Sequence, residues 1–411
     1  MTENPDMAAE HRGGQYPRQV PGRDASLAKI GDLAAGAGIR RVHLLSWRDL
    51  DDVEAGGSEV HAANVARLWA EAGIDVTLRT SYAQGHPPRV TRDGYQVFRR
   101  AGRYLVFPRA IASELLGRHG EADALVEIWN GMPFFSPVWE RRPKVVLLHH
   151  VHAEMWKMVL GDDAPLLAKA GELLESRIAP ALYRRTRIVT LSQSSKEDMI
   201  TQLRFRPDRI DVVPPGIDPR FSPRGERSDH PLVVAVGRLV PVKRYDLLIR
   251  AAAEARKAVP GLTLTIVGDG YERAMLDTVV QDVDGTEWVT FAGRITDSDL
   301  VSLYRRAWLV ASASAREGWG MSLTEAAACG TPTVATRIPG HVDAVVDGVT
   351  GILTDGTIDA LGAAIARVSS DASLRARLSE AAGTHAAAFT WEATATGIMR
   401  ALTTEAERRR R

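Results

Sequence analysis

Short apolar runs alternate with helical stretches along nearly the whole chain, and this alternation restricts the fold more than any other feature. A strand that is apolar on both faces must be covered on both, and a helix after each strand does this. The pattern therefore predicts βαβ units and parallel sheets, an α/β fold. In the first half the strands are expected at 42–46, 75–80, 96–99, 124–128, 145–149 and 188–191. In the second half they are expected at 233–236, 262–267, 289–292, 308–311, 333–335 and 351–353, with helices at 245–258, 271–280 and 297–306.

Between the halves stands Asp211-Val212-Val213-Pro214-Pro215-Gly216-Ile217-Asp218, where paired prolines and a glycine stop helix and sheet alike. The expected layout is a flexible leader over 1–36, a first domain over 37–215, a second over 216–388, and a terminal helix with a basic tail over 389–411. A chain of 411 residues is long enough for two separate cores. Two open sheets of this kind would bind ligands in a crevice at their strand C-terminal ends.

Composition removes several function classes. The 52 Lys and Arg balance 51 Asp and Glu, which argues against a nucleic-acid partner held by bulk charge. The single cysteine, Cys329, lies in an apolar helical stretch, excludes a disulfide framework and points to a reducing cytoplasm. No apolar run approaches the roughly 18 residues of a membrane span, and no signal-peptide core precedes the chain's own pattern. The expectation is a soluble cytoplasmic protein, with peripheral contact at the inner membrane face left open. Two basic stretches bear on that contact: the seven arginines between Arg89 and Arg118, and the ending Arg408-Arg409-Arg410-Arg411. Each reads either as solvated surface charge or as an anionic-surface contact. Oligomeric state is not legible.

The densest chemical signal is Glu317-Gly318-Trp319-Gly320-Met321-Ser322-Leu323-Thr324-Glu325. It follows a strand and precedes Ala326-Ala327-Ala328-Cys329-Gly330, a helix former closed by glycine, so the helix should start near Gly320. Unpaired N–H groups and the positive helix end at Gly320 and Met321 make an anion site for a diphosphate. Glu325 falls about five residues into the helix, roughly 7.5 Å along its axis, within reach of an adjoining ribose. Glu317, before the turn, would meet the group on the far phosphate. The bland reading is a solvated loop and an exposed helix face.

Other segments fit the same ligand. Gly237-Arg238-Leu239-Val240-Pro241-Val242-Lys243 places Arg238 and Lys243 at a strand's C-terminal edge, suited to phosphate oxygens. Gly56 and Gly57, before Ser58 as N-cap, permit close approach of an anion at another helix mouth. His149-His150-Val151-His152 ends a first-domain strand but has no neighbouring carboxylate or cysteine, so no metal is expected there. Gly268 and Gly270 follow a strand, yet Arg273 occupies the third position of G-x-G-x-x-G, which disfavours a dinucleotide oxidoreductase. The two glycines are either nucleotide contacts or a structural turn. The Asp-x-Asp pairs Asp49/Asp51, Asp282/Asp284 and Asp297/Asp299 are not read as metal sites.

Taken in register, Glu317 to Glu325 resembles the E-x7-E signature of family 4 glycosyltransferases. Gly237 to Lys243 resembles their G-R-x4-K element, Ala55 to Glu59 their A-G-G-x-E loop, and Val267 to Gly270 a V-G-x-G turn. The resemblance covers about residues 40 to 390 and is firmer in the second half. It implies a GT-B fold, two Rossmann-like domains facing across a cleft, with the last helix crossing back to the first. It implies a retaining, metal-independent transferase using a UDP- or GDP-sugar as donor substrate, with no further cofactor, and an unidentified hydroxyl acceptor in glycolipid, polysaccharide or glycoside biosynthesis. The roles implied are Arg238, Lys243 and Glu317 as catalytic groups. His150, or else His149 or His152, would touch donor sugar or acceptor. Gly56, Gly57, Gly268, Gly270, Gly318, Trp319, Gly320, Met321 and Glu325 would form the substrate site. Where relatives carry a G-x-P-E turn, this chain has Ile338-Pro339-Gly340-His341-Val342-Asp343. A non-catalytic nucleotide-sugar-binding protein and a GT-B phosphorylase are the alternatives.

Overall fold

The computed structural model describes residues 22–118, 120–151, 169, 171 and 173–410. Contacts divide the chain into two units. One is Ile217–Phe389; the other runs up to Gly216 and takes in the segment from Thr390 onward.

The first unit holds β1 (Arg41–Leu45), β2 (Asp75–Thr80), β3 (Arg89–Arg92), β4 (Tyr95–Arg99), β5 (Ala124–Trp129), β6 (Lys144–Leu148), β7 (Arg187–Thr190) and β8 (Ile210–Val212). They form one sheet in the order β3-β4-β2-β1-β5-β6-β7-β8. Every pair is parallel except β3 with β4. The central strands are buried end to end, as β5 and β6 show, which is what helices on both faces require. The edge strand β3 escaped the sequence reading because Arg89-Val90-Thr91-Arg92 carries only one aliphatic side chain. Its turn, Asp93-Gly94 with φ of 45° and 87°, is the two-residue hairpin connection that needs positive φ at both positions.

The leader expected to reach residue 36 ends earlier. Arg23–Gly36 is a helix that buries Ile30 and Ala34, so its small apolar residues are packing groups and not linker. Residues 1–21 of that leader lie outside the described residues. The terminal helix Trp391–Arg410 packs onto this unit, as the resemblance implied. The Trp69 indole N–H donates to the Ala395 carbonyl at 3.0 Å, and the Thr394 hydroxyl donates to that of Pro214 at 2.8 Å. Gly216 runs so close to the Trp391 backbone that any Cβ there would collide.

The second unit is a six-stranded parallel sheet of β9 (Leu232–Val236), β10 (Thr263–Val267), β11 (Val289–Gly293), β12 (Leu309–Ser312), β13 (Thr333–Thr336) and β14 (Gly351–Thr354). Its order is β11-β10-β9-β12-β13-β14. The winding reverses between β9 and β12, where Val233 stands opposite Leu309 and Val234 opposite Val310. Val233, Ala235, Leu248, Ile249, Ile266 and Leu276 form the centre of its core. Chain segments leaving β9 and β12 at their C-terminal ends head in opposite directions, and the gap left there is where open α/β sheets take ligands.

Candidate functional site

Three loops meet at the C-terminal edge of the second sheet. After β9 the chain passes Gly237 and Arg238, makes a short 3-10 turn at Pro241–Lys243 and enters the helix Tyr245–Ala258. After β12 it runs through Ala313 to Gly320 before the helix Met321–Ala328. After β13 it reaches Gly340 and the single turn His341–Ala344. Hydrogen bonds to main-chain carbonyls join them. Ala315 N–H donates to the Val242 carbonyl at 2.8 Å, Arg244 Nε donates to the Ala313 carbonyl at 2.8 Å, and the Thr336 hydroxyl donates to Ser314 at 2.7 Å. The loops therefore hold one another and their backbones are fixed.

Glu317 sits at the meeting point. Its carboxylate pairs with the Lys243 ammonium and accepts the Ser314 hydroxyl at 2.8 Å. Burial works against its charge, but the Lys243 charge and the hydrogen bonds from Lys243 and Ser314 outweigh that and hold its carboxyl below the ordinary range. His341 is buried behind it, with Nδ1 2.9 Å from the Thr336 carbonyl. A carbonyl can only accept, so Nδ1 carries the proton. Nε2 then accepts the Ser312 hydroxyl at 3.4 Å. Burial lowers the His341 pKa, so the ring is neutral at neutral pH. Tyr245, buried and near Glu317, is likewise held in its protonated form.

Arg238 is exposed and has no side-chain hydrogen-bond or ion-pair partner among the described residues. Its loop is clamped from the neighbouring strand. Gly268, at φ 130°, lies against the Gly237 carbonyl, and Gly270 lies against that of Leu239, both too close for any Cβ. Leu239 N–H donates to the Asp269 carbonyl at 2.9 Å. The two glycines thus have a packing reason of their own, as the support of the loop bearing Arg238.

The helix Met321–Ala328 starts where the sequence placed it, with Gly320 at φ 106° as its N-cap. Its first amides have no intrahelical acceptor, and its positive end lies beside Glu317 in sequence. Trp319 is buried, its indole edge-on to Phe389 at 5.1 Å with Nε1 3.4 Å from the Thr324 hydroxyl, so this side chain anchors the turn. Gly318 is buried beside it, while Gly320 and Met321 are half-buried. Glu325 accepts the Tyr304 hydroxyl at 3.1 Å. Burial first, then Asp297 and Asp218, push its carboxyl up to about 7 against the effects of Tyr304 and Arg220. One signature thus holds two carboxyls in opposite states: Glu317 stabilised as an anion, Glu325 poised near neutrality.

Sequence reasoning missed Ser314, Tyr304, Thr336 and the role of the Gly340-His341 turn. A Cβ on Gly340, which has φ 85°, would lie 2.6 Å from the Glu317 carbonyl and 2.8 Å from the Trp319 nitrogen. The glycine-before-polar pattern of Pro339-Gly340-His341 was the available signal.

In the first unit, Gly56 and not Ser58 caps the helix Gly57–Glu71. The Gly56 N–H donates to Glu59 at 2.8 Å, and Ser58 Oγ is 2.9 Å from the Asn130 amide, which draws it away from capping. Arg48 Nε, 3.4 Å from Glu59, completes the support beneath Gly56 and Gly57. His149 follows β6, is buried, and lies with Nε2 3.1 Å from His61 Nδ1. Burial lowers His61 to about 4, so this pair is uncharged around neutrality at its His61 end. His150 is half-buried and His152 lies outside the described residues. Asp49 and Asp51 bind Arg92 and Arg99, at 3.2 Å for Arg92–Asp49 and 2.7 Å for Arg99–Asp49. Arg99 is fully buried, so these two arginines of the basic segment brace the loop before Gly56. Asp297 pairs with Arg220 and Thr296 caps the helix Asp297–Arg306. Among the described residues no three His, Cys, Asp or Glu side chains gather as a metal site would need, and no helix is long and apolar enough to cross a membrane.

The model for "Glycosyl transferases group 1" matches residues 218–385, and that for "Glycosyltransferase Family 4" matches residues 55–221. A D-inositol 3-phosphate glycosyltransferase of Salinispora arenicola is 31% identical, over 96% of this chain and 95% of that protein. A GDP-mannose-dependent alpha-(1-6)-phosphatidylinositol monomannoside mannosyltransferase of Mycolicibacterium smegmatis is 30% identical, over 75% and 84%. Among solved structures, sucrose-phosphate synthase from Thermosynechococcus elongatus superposes with a TM-score of 0.75 at 19% identity, covering 87% of this chain and 96% of that one. Anabaena HepE, solved with UDP and glucose, gives 0.71 at 20% identity, over 89% and 100%. These two likenesses establish the GT-B fold.

Proposed function

The chain belongs to glycosyltransferase family 4 and is a nucleotide-sugar-dependent transferase, and from that premise we propose how its residues divide the work. The donor diphosphate lies against Arg238, Lys243 and the first amides of the helix Met321–Ala328. Lys243 and the helix amides are fixed in advance where negative charge grows as the sugar departs, so they stabilise the transition state more than the bound donor. Glu317 accepts hydrogen bonds from hydroxyls of the donor sugar, and Glu325 from those of the ribose. Glu317, the carboxylate at the centre of this loop cluster, is not free to act as a nucleophile: it is engaged by Lys243 and Ser314. That supports same-face displacement with retained anomeric configuration, the departing diphosphate taking the acceptor proton.

The observation that carries this reading is the Lys243–Glu317 pair, with Arg238, exposed and without a side-chain partner among the described residues, on the same loop, at the strand ends where the winding reverses. The donor is a UDP- or GDP-sugar. For the acceptor, the names of the Salinispora and Mycolicibacterium relatives share an inositol phosphate, free or within a lipid, and we carry that acceptor class to this chain as the one to test first. His150 in the first unit is the histidine assigned to donor sugar or acceptor.

Purified protein incubated with UDP- and GDP-sugars, with and without inositol phosphates, should release nucleoside diphosphate at a rate the correct acceptor raises. The glycosidic proton coupling of the product should match that of the donor. Nucleotide binding without release from any donor would leave a binding protein instead, and release that requires inorganic phosphate would identify a phosphorylase.

A further inference from the structure

In the first unit, away from the loops around Gly56 and His150, a cavity of about 610 Å³ gathers Lys144, Arg184, Arg185, Arg206, Arg408 and Arg409. Lys144 starts β6, Arg184 and Arg185 precede β7, and Arg408 and Arg409 stand in the last turn of the terminal helix. The chain thus enters its strands here, at the N-terminal edge of the sheet. Ligands of the glycosyl-transfer reaction are held at the opposite, C-terminal strand ends. The volume is within the roughly 300–1,000 Å³ range of small-molecule sites.

Protein carboxylates balance only part of this charge. Arg206 lies 3.0 Å from Asp208, and Arg408 and Arg409 share Glu405 at 2.6 and 3.0 Å. Neither Asp208 nor Glu405 lines the cavity among the described residues. Arg184 and Arg185 are exposed and have no hydrogen-bond or ion-pair partner among the described residues. The buried Lys144 ammonium donates to the Glu140 carbonyl at 2.5 Å, and burial with the Arg409 charge lowers its pKa to about 8. A helix C-terminus favours cations and would account for Arg408 and Arg409 alone. It does not account for Arg184, Arg185 and Arg206 converging on the same space from other elements.

We propose that this cavity is a binding site for a phosphate-bearing anion, separate from the glycosyl-transfer site. Guanidinium groups from three chain segments can share one phosphate group's oxygens through charge-assisted, bidentate bonds, which a carboxylate with two oxygens cannot use so fully. The same chemistry suits a soluble phosphorylated molecule or the headgroup of an anionic lipid.

The test uses the full chain carrying Arg238→Ala, so that pyrophosphate bound at the transfer site is weakened, with and without Arg184→Glu and Arg185→Glu. Both arginines are exposed and without a partner among the described residues, so the melting temperature should not move; that is checked first. The probes are inorganic pyrophosphate by calorimetry and sedimenting vesicles of equimolar phosphatidylglycerol and phosphatidylcholine, against phosphatidylcholine alone. Two charge-assisted contacts are removed and two like charges added, so the double substitution should weaken binding by at least about tenfold. Pyrophosphate binding lost in the variant identifies a soluble ligand. Loss confined to the anionic vesicles identifies a lipid headgroup. Equal binding by parent and variant, or no binding of either probe by the parent, overturns the proposal.

Discussion

The carboxylate of Glu317 and the ammonium of Lys243 are paired across the loops that follow β9 and β12, two strands adjacent in the sheet but distant in sequence. A paired anion of this kind is oriented and stays ionised, which suits it to accepting hydroxyl hydrogen bonds. Glu317→Gln should keep the size and lose the charge. We expect kcat to fall about 10²–10³-fold, the usual effect of removing one preorganised polar group, with nucleotide affinity changed little. Steady-state turnover beside calorimetric binding of the nucleotide checks it; undiminished turnover would remove Glu317 from the mechanism.

Arg238 and Lys243 bind the same diphosphate in our reading but differ in what the free protein asks of them. Arg238 has no partner to abandon among the described residues, so Arg238→Ala should weaken donor binding and turnover with no change in melting temperature. Lys243→Ala leaves Glu317 buried without its counter-charge, at a cost of about 3–5 kcal/mol for a fully buried pair. Both side chains are about one-fifth exposed, so about 1–2 kcal/mol is expected. Thermal unfolding of the two variants side by side separates these roles. Equal melting temperatures would mean that the pair contributes nothing to the fold.

The Glu325 carboxyl is raised to about 7 by burial, whereas an unfolded glutamate has its ordinary value near 4.5. Between those values the folded state binds the proton that the unfolded state has released, so stability falls as pH rises through this window. Glu325→Gln removes the cost. It should be the more stable protein at pH 8, by about 1–3 kcal/mol, with the difference shrinking towards pH 5. A ribose hydroxyl donating to the carboxylate would favour the ionised form. Nucleotide binding near pH 6.5 should then release more proton from wild type than from the variant, in which only the terminal phosphate, with a second pKa of about 6, can supply one. Calorimetry in buffers of different ionisation enthalpy reads this directly, and equal release from the two proteins would count against Glu325 as the ribose contact.

Much of this was legible in the sequence because the relevant signals are local. β2 and the helices Tyr245–Ala258 and Asp297–Arg306 lie where periodicity places them: Val76 and Leu78 alternate along the strand, Leu248, Ala252 and Ala255 recur at helical spacing, and Val301 and Tyr304 stand one turn apart, all of them buried. The strand–turn–helix around Glu317 is likewise local, a glycine between a strand and a helix former. What was not legible depends on distant partners. Ser58 has the chemistry of an N-cap, but Asn130 takes its hydroxyl and Glu59 serves the Gly56 N–H instead. Nothing near Glu325 in sequence reveals that Tyr304, Asp218 and Asp297 surround it. Arg92 and Arg99 read as surface charge until Asp49 and Asp51, on a loop more than 40 residues earlier, are seen to neutralise them.

Gly340 shows how a residue without a side chain can govern the reacting loop. Its φ of 85° is strained for other residues, and a Cβ there would meet the Glu317 carbonyl at 2.6 Å and the Trp319 nitrogen at 2.8 Å. Both contacts are to backbone, which cannot swing away as a side-chain end would. Gly340→Ala must therefore shift the Glu317–Trp319 backbone or expel the Pro339–His341 turn. Either movement disturbs His341, which lies behind Glu317 and is tied to the Thr336 carbonyl. The conformational strain alone is worth about 1–3 kcal/mol, and a displacement near 1 Å at a positioning group costs about 10²-fold in rate. We expect a lowered melting temperature together with a kcat reduced at least tenfold in the surviving folded protein. Gly348→Ala is the control: it has a similar φ of 74° but open space for a Cβ. It should show the stability loss without the rate loss. If both variants lose stability and neither loses turnover, the Gly340 turn supports the fold alone and has no hold on Glu317.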